Sequence, residues 1–232
     1  MGGFPVVHPE RGGQEVESRE VNVAPLGLPG SLRIPRNASA LVIFAHGSGS
    51  SRLSPRNTTV ARALNGHGIA TLLFDLLTPE EESANARAKV FDIPLLAARL
   101  ESAVAWIDRE SVLPNIPIGL FGASTGAAAA LVTAARLGKR IGAVVSRGGR
   151  PDMADEALPQ VLAPTLLIVG GADYGVIELN ERAYAKLTCE KTLEIVPGAT
   201  HLFPEPGALN QVIALAGNWF ARWLVERTRT NV

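Results

Sequence analysis

The residues in this sequence best suited to chemistry are Ser124, Asp173 and His201, met in that order along the chain. Ser124 stands in GASTG (122–126), between an apolar run and an alanine-rich segment. A serine hydroxyl is a weak nucleophile at neutral pH and needs a neighbouring base. It also needs exposure, which a tight strand-to-helix turn supplies by lifting the side chain over the first N–H groups of the helix. Flanking glycines make room for such a turn. The helix N-terminus favours the negative charge that develops on an attacked carbonyl oxygen. Serine is also a favoured helix N-cap, so the pentapeptide by itself leaves nucleophile and cap both open. His201 and Asp173 favour the nucleophile. The histidine would take the serine proton and return it to the leaving group. The aspartate would accept the other ring N–H, fix the tautomer and stabilise the imidazolium.

These side chains meet only if the fold brings them together. Short apolar runs recur at 40–45 (ALVIFA), 69–74 (IATLLF), 116–121 (IPIGLF), 141–146 (IGAVVS), 164–169 (PTLLIV) and 192–196 (TLEIV). Strands without polar alternation are buried on both faces, as in a parallel sheet covered by helices. Helices are expected at 55–66, 92–110, 124–137, 178–188 and 207–228, with Asp92 as an N-cap. Ahead of them, 15–23 and 31–34 flank the turn APLGLPG and predict an antiparallel hairpin at a sheet edge. The alternation of strands and helices specifies a doubly wound α/β domain. Working residues in such sheets gather at the carboxyl ends of the strands. Ser124, Asp173 and His201 each follow a different run, and so do the loops His46–Arg52 and Arg147–Arg150 and the residue Asp75. One insert, TPEEESANARAKVF (78–91), is too polar and too long for a plain turn and reads as a lid or a solvated helix.

The 232 residues suit one large domain, expected over 15–232 after a glycine- and proline-rich, flexible 1–14. Equal numbers of basic and acidic residues, 22 each, argue against a nucleic-acid partner. The single cysteine, Cys189, forms no intrachain disulfide and points to a reducing compartment, so a cytoplasmic protein is expected. No apolar run is long enough for a membrane span, and the N-terminus lacks the pattern of a signal peptide. No His/Cys/Asp/Glu cluster has metal-ligand spacing, so neither metal nor other cofactor is expected.

Four segments, FAHGSGSS (44–51), FGASTG (121–126), IVGGAD (168–173) and GATHLF (198–203), occur in this order. On them the sequence resembles the α/β-hydrolase superfamily from about residue 20 to 228, and within it is similar to the dienelactone hydrolase family. The resemblance implies the α/β-hydrolase fold, a mostly parallel doubly wound sheet with an antiparallel N-terminal edge and helices on both faces. It also implies serine-hydrolase chemistry, with no particular substrate attached. Dienelactone hydrolases proper carry cysteine as nucleophile, so Ser124 points to a serine esterase of small-molecule esters. One oxyanion donor is expected from the N–H of Thr125, the residue after the nucleophile. The second is expected from Ser48, because His46-Gly47-Ser48-Gly49 resembles the family's HGxG loop.

Arg52, Arg147 and Arg150 lie on the same edge and could bind a substrate carboxylate or phosphate bidentately, or prop the loops by internal pairing. Asp152 is the fallback acid or a helix cap. Asp75 is expected to be structural and the three tryptophans to pack in the core; His46 is expected to organise the oxyanion loop, and His67, His8 and Cys189 to carry no chemistry. An acyltransferase, thioesterase or peptidase would use the same triad. A non-catalytic binding module is a rival of another class, and a phosphate-ester or phosphoribosyl-linked role rests on the arginines alone.

Overall fold

The computed structural model describes residues 6–9, 15–109 and 113–226. Nine strands form one sheet in the order β1-β2-β3-β5-β4-β6-β7-β8-β9. β1 (Val6–Pro9), β2 (Glu15–Val23) and β3 (Leu28–Pro35) are antiparallel, and β3 pairs antiparallel with β5 (Ile69–Phe74). From β5 onward every pairing is parallel, through β4 (Ala40–Ala45), β6 (Ile118–Ala123), β7 (Ile141–Arg147), β8 (Thr165–Gly170) and β9 (Lys191–Val196).

The expected antiparallel edge is therefore present, with one strand more than the sequence reading placed there. Val6–Pro9, expected to be flexible, pairs with Ser18–Glu15, the open edge of the hairpin. The rest of 1–14 lies outside the described residues. The run read as 116–121 becomes a strand two residues later. Pro117 has no N–H to give a ladder, while Gly122 and Ala123 still pair with Ser146 and Arg147. Ser124 thus follows the last ladder residue directly.

The continuous apolar runs fill both faces. Leu41, Ile43 and Ala45 join one core, and Ala40, Val42 and Phe44 join the other, as alternation along a strand requires. On the first face lie α3 (Ile93–Arg109), α4 (Thr125–Leu137) and α5 (Tyr174–Lys186). On the second lie α1 (Pro55–Gly66) and α6 (Ala208–Phe220), the latter continuing as a π-helical turn over Ala221–Glu226. α3 starts where Asp92 Oδ1 accepts the Leu95 N–H at 3.0 Å, and it buries Ile93, Leu96, Ala97, Leu100, Ala103, Val104 and Ile107 at helical spacing. The alanines of α4 are small enough to lie close to the sheet, and Ala127–Ala130 are fully buried.

The insert at 78–91 is a helix, α2 (Pro79–Lys89). Thr78 and Glu81 form a reciprocal capping box, with Thr78 N–H on Glu81 Oε2 at 3.0 Å and Glu81 N–H on Thr78 Oγ1 at 3.3 Å. Glu81 also accepts from Arg99 of α3 at 2.9 Å, which ties the insert to the body of the fold. From β4 the chain goes to β5 on one side, then returns to place β6 on the other. That reversal opens a crevice at the carboxyl ends of β4 and β6, the place where open α/β sheets bind ligands.

Candidate active site

Ser124 links β6 to α4 with φ 51° and ψ −121°, a backbone conformation that non-glycine residues rarely adopt. Three backbone hydrogen bonds hold it there. Its N–H donates to Arg147 O at 3.3 Å, and its carbonyl accepts from Ala127 and Arg150, each at 3.1 Å. The flanking glycines are dictated by close approach. A Cβ on Gly122 would stand 2.3 Å from Ala127 Cα, and one on Gly126 2.2 Å from Ala45 O. Ser124 occupies the N-cap position of α4, yet its side chain makes no capping bond.

Asp173 likewise occupies the N-cap position of α5 without capping it. Its Oδ2 instead lies 2.7 Å from His201 Nδ1. That contact sets Nδ1 as the protonated ring nitrogen and leaves the Nε2 lone pair to accept a proton. His201 stands against the strand end that holds the elbow. A Cβ on Gly148 would be 2.9 Å from His201 O and 3.6 Å from its Cε1, and Gly148 follows directly on Arg147. Among the described contacts no hydrogen bond joins Ser124 Oγ to His201. Such bonds are often long before substrate arrives.

The loop after β4 is fixed by His46. Its Nε2 accepts the Leu76 N–H at 3.1 Å, so Nδ1 carries the proton and donates it to Gly47 O at 3.0 Å. Burial lowers the His46 pKa, the Gly47 contact opposing. His46 is therefore a neutral brace, as its position suggested. Gly49, at φ 67°, completes a turn closed by Ser50 N–H on Gly47 O at 3.2 Å. The two expected donors prove to be linked. The Ser48 N–H is not free but donates to Thr125 Oγ1 at 3.0 Å, and Thr125 is the first residue of α4.

Of the three arginines on this edge, two already have carboxylate partners. Arg52 donates from its backbone to Asp75 Oδ1 at 2.7 Å and from Nη1 to Asp75 Oδ2 at 3.2 Å. Arg150 grips Asp152 through Nε and Nη2, both at 2.8 Å, and this contact raises its pKa. Among the described residues Arg147 has no carboxylate partner. Its Nη2 reaches Asn57 Oδ1 at 3.5 Å.

Residues 38–211 match the family of α/β hydrolase domains. The chain belongs to the α/β-hydrolase family. A dienelactone hydrolase from Anabaena variabilis is 50% identical to this chain, with a TM-score of 0.86 over 95% of this chain and 99% of its own. Est1E from Butyrivibrio proteoclasticus is 15% identical with a TM-score of 0.76, over 90% of this chain and 99% of its own, and shares the fold alone. Two Mycobacterium tuberculosis proteins named as candidate phosphoribosyl transferases are each 55% identical over 204 residues, 88% of this chain. That match takes up 46% of their length, so the chain spans about half of these curated relatives.

Beside the Ser48–Thr125 contact the chain has a cavity of about 1060 Å³, walled by Leu53, Leu76, Leu77, Val90, Phe91 and Leu96. Arg56 and the cap residue Ser54 close its α1 side. The sequence reading missed Arg56, Asn57 and Phe91. Their signal was position: the first turn of the helix after the Ser48 loop, and the end of the insert. Among the described residues no helix is long and apolar enough to cross a membrane.

Proposed function

We propose that this α/β hydrolase is a serine esterase that cleaves small-molecule carboxylic esters through an acyl-enzyme. The observation that carries the reading is the 2.7 Å contact between Asp173 and His201 beside a serine held at φ 51°. Ser124 Oγ attacks the ester carbonyl while His201 Nε2 takes its proton. The tetrahedral oxyanion receives the N–H of Thr125, unpartnered at the start of α4, and that of Ser48 once the Thr125 hydroxyl releases it. Collapse expels the alcohol, which leaves with the proton from His201. Water then repeats the sequence, frees the acid and restores Ser124. Asp173 stays ionised and holds the imidazolium through Nδ1. Residues 15–232 act as one catalytic domain, and the lone Cys189 suits a reducing, cytoplasmic setting.

The dienelactone hydrolase similarity supports an ester bond as the target, since a lactone is an internal ester. Transfer to an alcohol or thiol instead of water would use the same residues, and acceptor competition assays separate the two. The transferase in the relatives' name belongs to proteins of about twice this length. Ser124→Ala is expected to abolish hydrolysis of short-chain p-nitrophenyl esters with circular dichroism and melting temperature unchanged. Full activity in that variant overturns the reading.

A further inference from the structure

Among the described residues Arg147 is a buried cation without an anion. It is 6% exposed, and its Nε and Nη1 are buried with no hydrogen-bond partner. Its remaining contacts are the long one to Asn57 and a Phe203 ring whose centroid is 5.9 Å away. Leaving a buried charge unmatched is strongly unfavourable, and native structures seldom do so without a use for it. The surroundings add positive potential. Arg56, in the first turn of α1, also has a buried Nε without a partner, and its charge acts against that of Arg147. The first turn of α1 holds no acidic residue to offset its helix dipole. Glu82, the acidic side chain of the cavity lining, is ion-paired to neither arginine. Burial, together with Arg56, lowers the Arg147 pKa to about 10, so the group is still a cation at neutral pH.

Position ties this charge to the reacting centre. Ala143 and Val145 point to the α1 and α6 face, so Arg147 at the end of the same strand does too. Its own carbonyl accepts the Ser124 N–H, and Phe203 lies just beyond His201. We infer that Arg147, Arg56 and the N-terminus of α1 form an anion subsite for a carboxylate or phosphate carried by the ester substrate. The inference rests on the esterase reading for the word substrate, and on the unmatched cations for the site itself. Guanidinium groups suit both anions, because each presents paired oxygens to the donor fork.

The test has two arms on the whole chain. In the first, kcat/KM is measured for a neutral ester, 4-nitrophenyl pentanoate, and its anionic match, 4-nitrophenyl hydrogen glutarate. The wild-type enzyme is expected to prefer the anionic ester by about 30-fold, as for a charge-assisted pair. Arg147→Met brings the ratio near one, Arg147→Lys keeps part of it, and Arg56→Met lowers it severalfold. The ratio is internal to each variant, so loss of folded enzyme cancels, and Arg56→Met serves should Arg147→Met fail to fold. In the second arm, inorganic phosphate and acetate are added to Ser124→Ala, which needs no turnover. Either anion is expected to raise the melting temperature, and Arg56→Met removes the rise. Which anion acts tells phosphate from carboxylate. Equal kcat/KM for the two esters, a ratio that survives both Met variants, or no melting shift from either anion overturns the subsite. Absence of any ester turnover with a surviving melting shift overturns the esterase reading and leaves the subsite standing.

Discussion

Asp173→Asn isolates the contact on which the mechanism depends. In the native chain the carboxylate lies 2.7 Å from His201 Nδ1 and is mostly shielded, with 15% of its side chain exposed against 37% for the histidine. During attack the imidazole becomes a cation beside this anion. Opposite charges with centres about 4 Å apart attract by about 4 kcal/mol at an effective dielectric of about 20. At about 1.4 kcal/mol per factor of ten, losing that attraction lowers kcat about a thousandfold. The asparagine amide would also donate to Nδ1, move the ring proton to Nε2 and leave no base for Ser124, which takes the loss toward about 10⁴-fold. The assay is steady-state hydrolysis of a p-nitrophenyl ester between pH 6 and 9, with melting temperature as the control for folding. Asp152→Asn is the comparison, because Asp152 follows a neighbouring strand yet is bound by Arg150; about threefold or less is expected, as for a partly exposed ion pair. A fall of less than about tenfold for Asp173→Asn in folded protein would refute the electrostatic reasoning. A larger loss for Asp152→Asn would move the acid to the other strand.

Gly126→Ala would place a methyl 2.2 Å from Ala45 O and 2.5 Å from His46 O. Stability to urea is expected to fall by about 2–3 kcal/mol and ester turnover with it, whereas an unchanged unfolding midpoint contradicts the close approach. His46 is held neutral by burial, with a pKa below its ordinary value of about 6.5. The unfolded chain therefore binds the proton first, and the contribution of His46 to stability is present above about pH 6.5 and is lost as pH falls toward the depressed folded value. Urea unfolding at pH 7.5 and 5.5 is expected to show a larger acid loss in the wild-type chain than in His46→Gln; equal losses contradict the assignment. Phe91→Ala opens the cavity wall, so its KM for esters of longer acyl chains is expected to rise more than for acetate esters; a uniform change across chain length places the acyl group elsewhere.

Much of this site could be read before the fold was seen, because buried parallel strands announce themselves as unbroken apolar runs. Once those runs were placed, Ser124, Asp173 and His201 fell at strand ends on one edge, and the sheet brings them there. The misplacements are local. β6 begins after Pro117, and α5 begins at Tyr174, ahead of the expected 178, because Asp173 opens the helix while its side chain serves His201. Val6–Pro9 is a strand by virtue of the open edge of β2, a partner its own composition does not reveal. Pairing was the least legible feature. Arg52, Arg147 and Arg150 look alike in sequence, yet among the described residues two have carboxylate partners and Arg147 has none. Nothing in the sequence joins Ser48 to Thr125, since their contact depends on how closely the β4 loop approaches α4.

The central claim is that Ser124 is a nucleophile activated by His201. Labelling with a fluorophosphonate, followed by peptide mass spectrometry, tests it most directly, because the reagent bonds to an activated serine and requires no guess at the natural ester. The predicted result is one adduct on the peptide containing Ser124, absent in Ser124→Ala and slowed at least a hundredfold in His201→Ala, as for loss of a general base. Labelling at another serine, or equal labelling of Ser124 when His201 is removed, would contradict it.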